Sequence, residues 1–251
     1  MLSDTLDPAL IPEGRTVIGT EPFRFHCHPG VGCYKACCRR LELYLYPYDV
    51  LRLKNRLGIP SSRFMREYTR LAPGSHPYFP AVLLNMTASE EQTCPFLAAE
   101  GCAVYHDRPS ACRTYPLERA VEKRAPSGHL RAHYFLTHHP YCLGHLEDHR
   151  YTLRQWEREQ ALHDCNLMND LWAEVDALFA TNPWQGEGVA GPRQQLAFMV
   201  CYNIDDFRMY VAKHNLLARS RLDKEQRRRA GRDDTELLKF GFSWLLAELR
   251  G

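Results

Sequence analysis

The stretch that decides the reading is "CHPGVGCYKACC", residues 27–38, which puts four cysteines into one short run, the last two adjacent. Thiolate is a soft ligand of the kind that zinc and iron–sulfur clusters select. Close spacing also lowers the entropic cost of assembling a site. Cys33 and Cys37 are four apart, so in a helical turn they share a face. Cys38 is about 100° further round a helix, and on the opposite side of a strand. Placing Cys37 and Cys38 on one small ion therefore requires a distorted backbone, a limit that a four-iron cluster relaxes.

A second group follows in "CPFLAAEGCAVYHDRPSAC" (94–112), with Cys142 beyond it. Gly101 allows the chain to curl close to a centre, and Pro95 and Pro109 hold the flanking turns. Such turns aim backbone N–H groups at sulfur, and Arg108 and Arg113 could offset further negative charge. The candidate ligands are therefore Cys27, Cys33, Cys37, Cys38, Cys94, Cys102, Cys112 and Cys142. Cys165 and Cys201 stand alone in helical patterns and read as small packing residues.

The rest of the composition is ordinary. The chain has 251 residues, 45% apolar and 25% charged, with a net charge of +2. It can build a core without cross-links, and its charge is too balanced to argue for nucleic acid or an anionic membrane. No apolar run approaches the roughly 20 residues that span a bilayer. The opening "MLSDTLDPALIPEGR" carries acids and prolines where a secretory signal has a basic and then an apolar stretch. The expectation is a cytoplasmic protein in a reducing compartment, where ten cysteines read as metal or redox groups more readily than as disulfides.

The expected architecture is α+β. A loose arm covers residues 1–20, a cysteine-rich domain with short strands covers 21–149, and a mainly helical region covers 150–251. Strands are expected in "LELYLYP" (41–47), "PAVLLNM" (80–86), "CAVY" (102–105) and "LRAHYFLT" (130–137). "YDVLRLKNRLGIP" predicts a helix with Asp49 capping its start and Gly58 its end, and "SSRFMREYTRL" predicts another, capped by Ser61 or Ser62. Thr152 and Gln155 form a capping box for a helix running to about residue 179. Further helices are expected over about 193–213 and 233–249, joined by "DKEQRRRAGRDD", which reads as a solvated, charge-dense linker. Leu171, Val175, Leu178, Phe198, Val200 and Ile204 should supply the shared core.

Taken together, "FHCHPGVGCYKACC", "DVLRLKNRLGIPSSRFMREY", "CPFL", "GCAVYHDRPSACRTYP" and "CLG" resemble the cysteine-cluster family of zinc- or iron-chelating domains, in order, over about residues 23–145. The resemblance implies metal binding by the eight cysteines and no particular reaction. The interval between Cys27 and Cys33 is longer than in the tightest family forms. More distantly, the region is similar to the flagellin lysine methylases, which implies an alternative as an iron–sulfur-dependent modifying enzyme. The CxxxCxxC pattern of radical adenosylmethionine enzymes is absent. "GEGVAG" (186–191) matches a nucleotide fingerprint but follows a helix, so it reads as a loop.

Histidine pairs offer ligands too. His129 and His133 share a strand face but lie about 13 Å apart, His145 and His149 are four apart, and His138 and His139 precede Cys142. His26, His28 and His106 flank the cysteines and form the reserve set. Eight thiolates without CxxC knuckles favour an iron–sulfur cluster, four-iron in type, over zinc. Three readings stay open: a redox or cofactor protein, a modifying enzyme, and a structural zinc module with a protein partner.

Overall fold

The computed structural model describes residues 11–123, 130–185, 187–188 and 191–250. Alternating Leu43 and Leu45 point into the core, and Pro47 then opens a helix at a position where its missing N–H costs nothing. The expected strand over 41–47 is reduced to a bridge between Tyr44 and Leu83, flanked by the bonds Leu45 N–H to Val82 O (2.8 Å) and Leu84 N–H to Leu43 O (2.9 Å). Proline stops the ladder before it lengthens.

In chain order the elements begin with β1 (Arg15–Val17), β2 (Phe23–Arg24), α1 (Pro47–Leu57), α2 (Ser61–Tyr68), β3 (Thr69–Ala72) and β4 (Ala81–Leu84). The cysteine segment adds β5 (Leu97–Ala98), β6 (Gly101–Cys102), α3 (Ser110–Thr114), β7 (Leu117–Lys123), β8 (Leu130–Thr137) and β9 (Arg150–Tyr151). The helical half comprises α4 (Leu153–Glu159), α5 (His163–Phe179), α6 (Pro192–Tyr202), α7 (Ile204–Lys213), α8 (Leu216–Arg219), α9 (Lys224–Arg232) and α10 (Asp234–Arg250). The fold is α+β, with short antiparallel pairings first and helices after. The sheet order is β1-β8-β7, and β2-β9, β3-β4 and β5-β6 are two-stranded. No helix among the described residues is long and apolar enough to cross a membrane.

Several boundaries differ from expectation for physical reasons. Residues 1–10 of the expected arm lie outside the described residues, but Arg15–Val17 pairs with β8. Asp49 is not the N-cap of α1; it sits three residues in and accepts the Tyr46 N–H at 3.1 Å. Ser61 does not cap α2 either, because its N–H and O–H both go to Asp205. "CAVY" contributes only Cys102 to a strand before a 3-10 turn at Tyr105–Asp107. The helix expected from 152 to 179 opens with the Thr152–Gln155 box but breaks at Ala161, whose φ is +47°. The helix over 193–213 divides at Asn203, whose side chain accepts the Asp206 N–H and starts α7. The charge-dense linker is itself mostly helix α9, started by an Asp223–Gln226 capping box.

One large core joins both halves: Leu53, Phe64 and Leu84 pack with Val175, Phe179, Val200, Phe207 and Phe242. Val175, Val200 and Ile204 are buried as expected, and Leu171 and Phe198 pack against the same core. Leu178 is only half-buried, and Phe179 fills the interior position. A second core holds Phe23, Phe25, Tyr134, Tyr151 and Trp156. Phe25 meets Trp156 edge-on at 5.5 Å, which anchors the strand leading into Cys27.

Candidate metal centre

The chain enters the site along residues 24–28, held against 144–149 by the bonds Phe25 N–H to His149 O (3.0 Å) and His26 N–H to Gly144 O (2.9 Å). A Cβ on Gly144 would lie 2.9 Å from His26 O and 3.0 Å from the Phe25 ring, so glycine is needed for this approach. The contact brings the turn after Cys142 beside Cys27. The Leu143 N–H then donates to Cys33 Sγ at 3.1 Å.

Around the adjacent pair the backbone is twice left-handed. Lys35 has φ +69° and Arg40 φ +52°, with a tight 3-10 turn at Ala36–Cys38 between them. The Cys37 and Cys38 sulfurs lie 4.0 Å apart. Two bonds clamp this turn to the second cysteine group. Cys94 N–H donates to Cys38 O (2.8 Å), and Lys35 Nζ donates to Ala99 O (2.7 Å) in the β5-β6 turn. Gly101, at φ +133°, passes so close to Tyr34 that a Cβ would sit 2.8 Å from its hydroxyl.

Cys112 rides on α3, whose start is fixed by Asp49. The buried Asp49 Oδ1 accepts Ser110 N–H (2.8 Å), Ser110 O–H (2.7 Å) and the Arg52 guanidinium (2.9 Å). Arg108 stacks on Tyr105 at 4.0 Å, donates to Tyr105 O and bonds the Gln160 side chain. Arg113 donates to the carbonyls of Gln160 and His106. Of the two arginines expected to offset thiolate charge, Arg108 does lower Cys27 and Cys102, whereas Arg113 acts on Cys165.

The bonds from Cys94 N–H to Cys38 O and from Leu143 N–H to Cys33 Sγ set Cys94 beside Cys38 and Cys142 near Cys33, and burial and neighbouring thiolate charge shift the thiols there. Burial pushes Cys27 up to about 11, and the charges of Cys37, Cys142 and Cys33 push the same way. Burial also takes Cys94 up to about 11, against the Phe96 N–H bonded to its sulfur, with Cys102 and Cys37 adding. Cys102 is raised by burial and opposed by the Val104 N–H. Cys112 is raised by the protein around it, although its side chain reaches solvent, and Cys94, Cys37 and Cys102 contribute. Cys38 is raised by sharing its bond with Cys37, then by burial and by the charges of Cys37, Cys94 and Cys112. The same bond holds Cys37 down, to about 7, against burial. Each N–H to sulfur bond favours the thiolate, the form that binds metal.

Residues 26–143 match the family model CxxCxxCC, described as a putative zinc- or iron-chelating domain. That segment is similar to the family. The CxxCxxCC match opens one residue before Cys27 and closes one after Cys142, so it spans the eight clustered cysteines and leaves out Cys165 and Cys201. No curated protein matches the chain, and no solved structure does.

The remaining candidates fall elsewhere. Cys165 and Cys201 are each buried, at 3% exposure. His129 lies outside the described residues, and His133 pairs with Glu122 at 3.2 Å. His138 packs on His145 with ring centroids 4.1 Å apart, and His106 packs edge-on against Tyr105. "GEGVAG" lies partly outside the described residues, but Glu187 within it accepts the Arg193 and Gln194 N–H groups at the start of α6. A carboxylate already takes the place a phosphate would use. Glu147 falls with His26 and His28, and nothing local in the sequence marks it.

Proposed function

We propose that Cys27, Cys33, Cys37, Cys38, Cys94, Cys102, Cys112 and Cys142 supply the thiolates of a metal centre, an iron–sulfur cluster rather than zinc, in a cytoplasmic redox or cofactor protein. The observation that supports this reading is the joining of cysteine-bearing segments far apart in sequence: Cys94 N–H donates to Cys38 O at 2.8 Å, Leu143 N–H donates to Cys33 Sγ at 3.1 Å, and the Cys37 and Cys38 sulfurs lie 4.0 Å apart. Burial and neighbouring thiolate charge raise Cys27, Cys94, Cys102 and Cys112, and cationic metal at the site would offset that charge.

The spacing of the sulfurs favours a cluster. Four thiolates on one zinc at about 2.3 Å require sulfurs about 3.8 Å apart. Cys37 and Cys38 come near that, but among the described residues no three sulfurs lie within 4.8 Å of one another. A wide set suits a centre with several metal atoms. When bound, such a cluster supplies one-electron transfer at a potential set by charge, hydrogen bonds and exposure. The chain tunes it through the N–H groups of Leu143, Phe96 and Val104 and through Arg108. Because ligands 27–38 and 94–142 would close on the same metal, binding energy is also folding energy.

The test is metal content after anaerobic purification of Cys37→Ser and Cys112→Ser beside Cys201→Ala. The two serine variants should lose most of the metal, and the Cys201 variant should keep it. Full metal content in both serine variants sinks the reading.

A further inference from the structure

Three side chains that the thiolate reading does not use meet beside it. His26 and His28 flank Cys27, with ring centroids 4.6 Å apart. Glu147 comes from the loop after Cys142, its Oε2 3.3 Å from His28 Nε2. One donor atom from each of the three lies within 4.8 Å of the others, and among the described residues this is the trio of His, Cys, Asp or Glu that closes so tightly. We propose that His26, His28 and Glu147 form a second metal site, for a divalent transition ion of the zinc or iron(II) type. The proposal does not depend on the thiolate centre.

The backbone builds this site before any ion arrives. Phe25 N–H and His26 N–H bond to the carbonyls of His149 and Gly144. Arg24 donates to the carbonyls of Leu146 (2.8 Å) and Glu147 (3.2 Å). These bonds fix the Glu147 loop across from the histidines, a pre-organisation that lowers the cost of assembling ligands. A structural tie between His28 and Glu147 needs one imidazole; His26 adds a second at ring contact.

The donor set selects the ion. Two imidazoles and a carboxylate suit zinc or iron(II), whereas magnesium and calcium prefer all-oxygen sets. Three protein ligands leave a position for water. The His28 and Glu147 side chains are 37% and 38% exposed, so water and ion can enter from solvent. The Gly30 N–H donates to His28 Nδ1 at 3.1 Å, which leaves Nε2 facing Glu147.

Cobalt(II), titrated anaerobically into the purified full chain, tests the proposal. The wild type should show visible d–d absorption from a site with no sulfur-to-cobalt charge transfer. The His26→Ala/His28→Ala variant should bind one cobalt fewer and lose that absorption, while metal held by the cysteines stays. Glu147→Gln, with an unchanged circular dichroism spectrum, should weaken this cobalt by at least the roughly tenfold that loss of an outer partner costs. Cys37→Ser should weaken sulfur charge transfer and leave the second signal, so failure of either site is seen separately. Equal cobalt stoichiometry and identical spectra in the wild type and the double histidine variant overturn the proposal, as does a spectrum whose every band follows the cysteines.

Discussion

Replacing Asp49 by alanine tests how the core holds the cysteine segment in place. The carboxylate is fully buried and accepts bonds from Tyr46 N–H, Ser110 N–H, Ser110 O–H and Arg52. Asp49→Ala strips all four at once. It leaves Arg52, with only 12% of its side chain exposed, without its counter-charge. Removing one member of a buried ion pair costs about 3–5 kcal/mol, more than the loss of a single neutral bond at about 1 kcal/mol. Asp49→Asn keeps the shape and one acceptor oxygen, so it should cost less, about 1–3 kcal/mol. Urea denaturation followed by circular dichroism, on anaerobically prepared protein, reads both values. Because Asp49 fixes the start of α3, the alanine variant should also bind metal at Cys112 more weakly. A loss below 1 kcal/mol for Asp49→Ala would refute the idea that this carboxylate joins α1 to α3.

Other perturbations follow from the same geometry. Gly144→Ala puts a methyl 2.9 Å from the His26 carbonyl, so the Cys142 turn must move off the Cys27 strand. The expected cost is about 1–3 kcal/mol with weakened metal retention, and wild-type values for both in a denaturation and metal assay would contradict it. Burial pushes the Asp205 carboxyl up, but the N–H and O–H of Ser61 and the Lys54 ammonium outweigh it and hold the group below its ordinary 3.8. A depressed carboxylate stabilises the fold above its unfolded value, and that stability is lost as pH falls through the lower folded value. Asp205→Asn should therefore be less stable than wild type at neutral pH, with the difference closing in acid below 3.8. Parallel urea midpoints for the two proteins across that range would show the sign to be wrong.

Where sequence and structure agree, the signal is local. β4, β8 and α10 follow from short-range periodicity, and the Thr152–Gln155 box is visible as a pair of residue types at fixed spacing. The break at Ala161 was hidden because alanine favours helix; the Gln160 carbonyl there takes the Arg113 guanidinium and its side chain takes Arg108, from far back in the chain. The divide at Asn203 was readable, since Asn203 and Asp206 form a capping pair. So was α9, where the Asp223–Gln226 box and the bonds of Glu225 to Arg228 and Arg229 turn a charge run into a helix. The cysteines themselves were legible as a set. What no local pattern could supply was their neighbourhood: the left-handed Lys35, the Gly144 contact, and a Glu147 brought to His28 by bonds between distant segments.

The central claim, that the clustered thiols hold an iron–sulfur centre, is tested most directly by one anaerobic purification with absorption spectrum, metal count and acid-labile sulfide count. The expected result is a coloured protein bleached by reductant, with iron and sulfide bound together. A colourless protein carrying zinc alone, or no metal, would contradict it.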